Sequence, residues 1–144
     1  MDFGNNWSWG DTLGAMAALG AIHADVQHTK DVISKGGRET NPIYGTPHPS
    51  GSALDQGELA VGALTVAGAA ALPPKYRKIA LGAVAGFEAG MASLPEKGRQ
   101  FGDDLALPII MGLVGAGLGG LATKPDLSIL PTKGGVTLGA RWRF

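Results

Sequence analysis

Residues 105–122, LALPIIMGLVGAGLGGLA, decide the fold class. The run has no charged side chain and contains five glycines: Gly112, Gly115, Gly117, Gly119 and Gly120. In water each interior glycine costs a helix roughly 0.5 to 1 kcal/mol relative to alanine. A surface helix also needs a polar face, which this run lacks. Among lipid tails the same composition is favourable, because small residues three and four apart let helix backbones approach closely. Gly112, Gly115, Ala116, Gly119 and Gly120 are therefore predicted to form a helix-packing face through which the chain self-associates or meets a partner membrane protein.

Two more apolar runs lie upstream. Residues 59–72 (LAVGALTVAGAAAL) are stopped by Pro73 and Pro74; residues 79–94 (IALGAVAGFEAGMASL) are broken only by Glu88 and closed by Pro95. Between them Lys75, Tyr76, Arg77 and Lys78 predict a tight basic hairpin. Tyr76 and Arg77 there, and Trp142 and Phe144 at the C-terminus, suit the depth at which membrane-interface anchors sit; Trp7 and Trp9 read the same way. Residues 10–34 read as a helix with an apolar first half, through Ile22, and a polar second half from His23. Gly36 and Gly37 end it with the positive φ that a helix C-terminus favours. Residues 36–57, rich in Gly, Pro, Ser and Asn, read as a loop.

The expected fold is thus all-α: a three- or four-helix membrane bundle over residues 1–124, with spans at about 10–34, 58–73, 78–94 and 104–122. A tail over 125–144 follows. In it Val136, Leu138, Ala140, Trp142 and Phe144 alternate with Thr137, Gly139, Arg141 and Arg143, the period of a half-buried strand, so a β-strand is expected at 136–144. Residues 126–130 are its expected hairpin partner. A last strand ending in phenylalanine resembles the final strand of bacterial outer-membrane barrels, although one hairpin cannot close a barrel. Each apolar run falls short of the ~20 residues of a straight span. The alternative is a soluble all-α globule that buries the central hairpin.

Composition narrows the function classes. The chain has 144 residues, enough for one unit, and 12 basic residues balance 12 acidic ones, so nothing draws it to nucleic acid. Its charged fraction of 17% is well below the roughly 25% of soluble domains. There is no cysteine, which removes disulfides, thiolate metal sites and cysteine nucleophiles together. The first ten residues are acidic and aromatic, so a cleavable signal peptide is not expected.

Few groups could carry chemistry. His23 and His28 are five apart and lack a third ligand at a diagnostic spacing, so no metal is expected. The Gly117–Gly120 segment has no preceding strand and no lysine to cradle a phosphate. Ser50 and Ser52 lack a nucleophile elbow. No enzyme, catalytic residue or cofactor is predicted.

Asp25 and Thr29 lie four apart, on one helical face. A second group follows: Arg38, Glu39, Asn41, Pro42, Tyr44, Gly45, His48, Pro49 and Ser50. An Asp-x-x-x-Thr helix, a glycine turn, Glu-x-Asn-Pro-Ile, a glycine and His-Pro-Ser together resemble a group of small, uncharacterised multi-pass membrane proteins of proteobacteria and their phages. Those proteins tend to have a Leu-Pro-x-x-x-Arg hairpin, matched here by Leu72, Pro73 and Arg77, and a glutamate in the next helix, matched by Glu88. The resemblance covers about residues 24–92 and implies a membrane bundle in the bacterial envelope, the inner membrane rather than the outer, with a phage-encoded origin open.

A charged group at mid-membrane costs about 2.5 to 3.5 kcal/mol on insertion scales. Asp25 and Glu88 should therefore face the bundle interior and, with Thr29, Glu39, Asn41 and His48, form a polar cluster. Either it is a knot that pins the loop to the helices, or Asp25, Glu39, His48 and Glu88 make an ion or proton site. The functional expectation is a small integral membrane protein, structural or accessory, whose partner is the lipid bilayer. The alternatives are a phage-type envelope factor (a DNA-ejection conduit, superinfection exclusion or lysis) and an ion or proton transporter.

Overall fold

The computed structural model describes residues 7–39, 44–94 and 106–121 in full, and residues 126–132 and 135–141 as backbone. The fully described part is all-helical, with four helices: α1 (Trp9–Ser34), α2 (Gly51–Ala71), α3 (Pro74–Ala92) and α4 (Ala106–Leu121). Beyond them the backbone of β1 (Asp126–Thr132) runs antiparallel to β2 (Gly135–Arg141), with Ile129 opposite Leu138. The expected anchors Trp142 and Phe144 lie outside the described residues.

Local chemistry sets the helix ends. Ser8 and Asp11 form a capping box: the Ser8 hydroxyl accepts from the Asp11 N–H at 3.2 Å, and the Asp11 carboxylate accepts from the Ser8 N–H at 2.7 Å. At the other end of α1, Gly36 takes a φ of 86°, and the Gly36 and Gly37 amides donate to the carbonyls of Ile33 and Val32. This closure satisfies carbonyls that a helix end leaves open.

Two boundaries differ from the sequence expectation. The loop expected over 36–57 ends early, because α2 begins at Gly51. The Ser50 hydroxyl caps the Ala53 N–H, and Leu54, only 2% exposed, anchors the first turn in the core. Capping and burial outweigh the loop-like composition of Gly51 and Ser52. Likewise there is no basic hairpin loop. Pro74 opens α3, where its missing N–H costs nothing, so Lys75, Tyr76, Arg77 and Lys78 lie in the helix, and Leu72 and Pro73 alone separate α2 from α3.

α3 is the central element, with α1 and α4 as its main partners, while α2 packs on α1 and less closely on α3. Gly14 lies against Leu81, and His28 reaches Leu94, so α1 runs parallel to α3. α2 and α4 run the other way. Ala15, Ala18, Ala69 and Leu81 form the core cluster, flanked by Trp7, Val66, Val84 and Ala85. A core this rich in alanine holds helices close but buries little apolar area per residue.

Between α3 and α4 the contact is closer still. A Cβ on Gly82 would collide with the Gly115 carbonyl, one on Gly86 with the Met111 carbonyl, one on Gly115 with the Gly82 carbonyl, and one on Gly119 with the Lys78 carbonyl. The glycine face expected to join separate molecules thus packs within the chain: Gly112, Gly115 and Gly119 meet α3, Ala116 is half-buried, and Gly120 faces the Ile79 side chain.

Among the described residues no helix is long and apolar enough to cross a membrane. The longer helices α1, α2 and α3 carry charge, and the uncharged α4 has 16 residues. The span expectation therefore gains no support from helix length.

Candidate functional site

The antiparallel arrangement collects the polar residues at two ends of the bundle. One end combines the C-terminal halves of α1 and α3, the start of α2 and the loop after α1. His23 Nδ1 lies 2.8 Å from Glu58 Oε1, and the Lys30 ammonium pairs with Asp55. These two contacts fasten α1 to α2. His28 Nε2 donates to the Leu94 carbonyl at 3.0 Å and ties α1 to the end of α3. The Glu39 N–H donates to the Pro47 carbonyl at 2.8 Å, closing the loop on itself.

Of the expected polar cluster, the structure brings Asp25, Glu39 and Glu88 into one electrostatic neighbourhood centred on Tyr44, and Glu58 joins them. The charge of Asp25 also reaches Glu88. Thr29 lies one turn beyond Asp25 and is buried, 3% exposed. His48 is exposed, and its backbone N–H donates to the Thr46 hydroxyl. Asn41 lies outside the described residues.

Glu58 and Tyr44 both lie outside the expected polar cluster, and Tyr44 is the one at the centre of this group. It packs where Gly57 leaves room, since a Cβ on Gly57 would meet the phenol oxygen at 2.5 Å. Burial first, and then the surrounding carboxylates Glu39, Asp25, Glu88 and Glu58, raise its phenol above the ordinary value of 10.0. Gly57, eight residues after the loop's Pro49, carries no signal in the sequence that it faces an aromatic. Among the described residues no cluster of His, Asp and Glu is arranged to hold a metal ion.

The opposite end is basic and aromatic. Arg77, expected to anchor at an interface, is instead fully buried. Its Nε donates to the Leu72 carbonyl at 3.0 Å and its Nη2 to the Ala70 carbonyl at 3.3 Å. The guanidinium thus caps the C-terminus of α2, where orphan carbonyls and the negative end of the helix dipole both favour a cation. It also lies 5.6 Å from the Trp7 ring, within cation–π range. Trp7 is fixed in turn by its indole N–H, which donates to the Thr12 hydroxyl at 3.0 Å. Tyr76 is exposed, with the Lys75 ammonium 4.7 Å above its ring.

Between the two ends, the outer surface is apolar. On α4, Pro108 and Gly112 are the buried residues, while Ile109, Ile110, Leu113, Val114, Leu118 and Leu121 are exposed, Leu113 at 69%. Leu13, Met16, Leu19, Leu59 and Leu64 are exposed on α1 and α2. Soluble bundles bury their large aliphatic side chains and leave small or polar ones outside. α4 does the reverse, whereas α1, α2 and α3 also bury Ile22, Val26, Leu54 and Leu81, and an exposed apolar surface of this kind marks an interaction site.

No protein-family model, curated protein or solved structure matches the chain.

Proposed function

We propose that the chain is a small integral membrane protein whose helices pack by glycine and alanine and turn their large aliphatic side chains to lipid. It serves as a structural or accessory component of the bacterial envelope, in the inner membrane, and not as an enzyme. The observation that carries this reading is the inverted polarity of α4, with glycine and proline inside and isoleucine, leucine and valine outside. In water that arrangement would leave unburied the apolar area that normally drives folding, at about 25 cal/mol per Å2. In lipid the large side chains have nothing to gain from burial, and close backbone packing is what holds helices together.

Length is the opposing consideration. Sixteen helical residues rise about 24 Å, against a hydrocarbon core of about 30 Å. A short apolar belt is accommodated by local thinning of the bilayer or by oligomerisation, at a fraction of a kcal/mol per Å of mismatch. Self-association by this chain uses a surface other than the glycine face, which α3 occupies. The polar end serves as a knot: Tyr44, with the loop that carries it, packs against Gly57 of α2, within the electrostatic reach of Asp25 and Glu88.

Extraction of membranes at alkaline carbonate pH tests the proposal. An integral protein stays in the pellet. Recovery in the supernatant would overturn the reading and return the exposed face of α4 to a protein partner.

A further inference from the structure

Because α2 leans on α1 more than on α3, a groove of about 190 Å3 opens between α2 and α3 on the outer surface. Leu64, Thr65 and Gly68 line it from α2, Leu72 from the turn that follows, and Ala80 and Val84 from α3. From Leu64 to the end of the helix at Ala71 the α2 wall is about 10 Å long. The groove ends at the turn between the helices. There Tyr76, one helical turn before Ala80, is exposed, and Lys75 holds its ammonium 4.7 Å from the Tyr76 ring.

We propose that this groove binds one acyl chain of an anionic phospholipid, whose phosphate sits at the Lys75 ammonium and the Tyr76 hydroxyl. The inference rests on the membrane reading and names a lipid class for it. The walls choose the occupant. Apart from the Thr65 hydroxyl they are hydrocarbon, and the helix backbones behind them are paired internally. A peptide strand laid there would leave its own N–H and C=O groups without partners, whereas an acyl chain has none to satisfy. The mouth chooses the headgroup. A cation beside an amphipathic aromatic ring, at the depth where tyrosine sits in membranes, complements a headgroup of net negative charge and is repelled by the ammonium of a zwitterionic one.

Gly68 offers a clean way to close the groove. Nothing lies within 4 Å of a Cβ built there, so a leucine side chain enters the groove without disturbing the packing behind it. Gly20 on α1 is equally open and away from the groove, so Gly20→Leu adds the same side chain as a control.

The experiment is native mass spectrometry of the full chain in mild detergent, titrated with phosphatidylglycerol and, separately, with phosphatidylcholine. The wild type and Gly20→Leu should retain one phosphatidylglycerol at least fivefold more tightly than phosphatidylcholine. Gly68→Leu should lose at least fivefold in affinity for phosphatidylglycerol, and Lys75→Gln should bind the two lipids alike. Unchanged retention by Gly68→Leu, or equal affinity of the wild type for both lipids, would overturn the proposal. A dimer that Gly68→Leu dissolves would overturn it too, since a second copy would then occupy the groove. Carbonate extraction of the same variants separates the two levels. Protein that resists carbonate yet retains no lipid defeats this inference alone, whereas wild type released by carbonate defeats the membrane reading beneath it.

Discussion

The seam between α3 and α4 and the polar end where α1 meets α2 hold helices together by opposite means. Along the seam, backbone lies on backbone: Gly82, Gly86 and Gly90 of α3 face Gly115, Met111 and Pro108 of α4, and almost no side chain intervenes. At the polar end long side chains join the helices, Lys30 to Asp55 and His23 to Glu58. A seam of that kind has no slack, because an added atom must displace a carbonyl and the whole helix behind it. A polar clasp can swing, resolvate or exchange partners. The molecule should therefore be intolerant of volume on one side and forgiving on the other.

The sharpest way to break this contrast is to add bulk at two glycines of the same helix. Gly115→Leu should detach α4 from α3 and cost about 3 kcal/mol or more, beyond ordinary overpacking because the obstacle is backbone. Gly117→Leu should cost nothing measurable, since that glycine faces open space and leucine is the better helix former. Denaturation of both variants in mixed micelles, followed by tryptophan fluorescence, compares them directly. Equal losses at both positions would mean that the seam is not the contact that holds α4.

Leu81 and Arg77 test the core and the basic end, which lie outside both regions. Leu81→Ala removes a fully buried side chain from the alanine-rich core and should cost about 2 to 4 kcal/mol in the same assay. Arg77→Met keeps much of the volume but removes the donors to the Leu72 and Ala70 carbonyls. A cost of about 2 to 3 kcal/mol is expected, with Arg77→Lys failing to restore it, because one ammonium cannot reproduce the planar fork. Rescue by lysine would show that charge alone matters there.

These effects show how far the sequence could be read. The stop at Gly36 and Gly37 was legible, since a helix end needs positive φ and glycine supplies it. The small-residue spacing of Gly112, Gly115 and Gly119 was legible as well. Its destination was not. Gly82, Gly86 and Gly90 repeat every four residues in plain view, but nothing in a linear pattern says that two glycine stripes of one chain face each other. Arg77 misled for a related reason: its place in a basic cluster suggested solvent or headgroups, while its actual partners are carbonyls five and seven residues back. The start of α2 was hidden because Gly51 and Ser52 have loop chemistry, and only the burial of Leu54 shows what overrides it. At the polar end, Asp25 and Glu88 were paired by the cost of charge, but Tyr44 was not. A phenol's place among carboxylates depends on where the loop folds back.

Tyr44 gives a pH test of the clasp. Folding favours its neutral form, because burial and four nearby carboxylates disfavour the phenolate. Its contribution is therefore intact below pH 10 and is lost as the pH rises through the raised folded value. Tyrosinate absorbance should show a phenol that titrates above 10 in the wild type and is missing in Tyr44→Phe. If the component lost in Tyr44→Phe titrated at the ordinary value of 10.0 instead, Tyr44 would lie away from the carboxylates.

The smallest effect is expected from the ion pairs. Lys30 and Asp55 are partly exposed, and an exposed pair contributes about 0.2 to 1 kcal/mol after ordering two long side chains and after screening by salt. Asp55→Asn should therefore cost less than about 1 kcal/mol, and the cost should shrink further as ionic strength rises. The comparison with Gly115→Leu then becomes quantitative, since adding one side chain at the seam should outweigh removing a charge at the clasp by a factor of three or more. If Asp55→Asn instead matched the seam variant, and did so at high salt, the polar end could not be a flexible clasp. It would have to be a rigid, desolvated junction in which every partner is fixed, and the carboxylates around Tyr44 would belong to the packed interior of the protein.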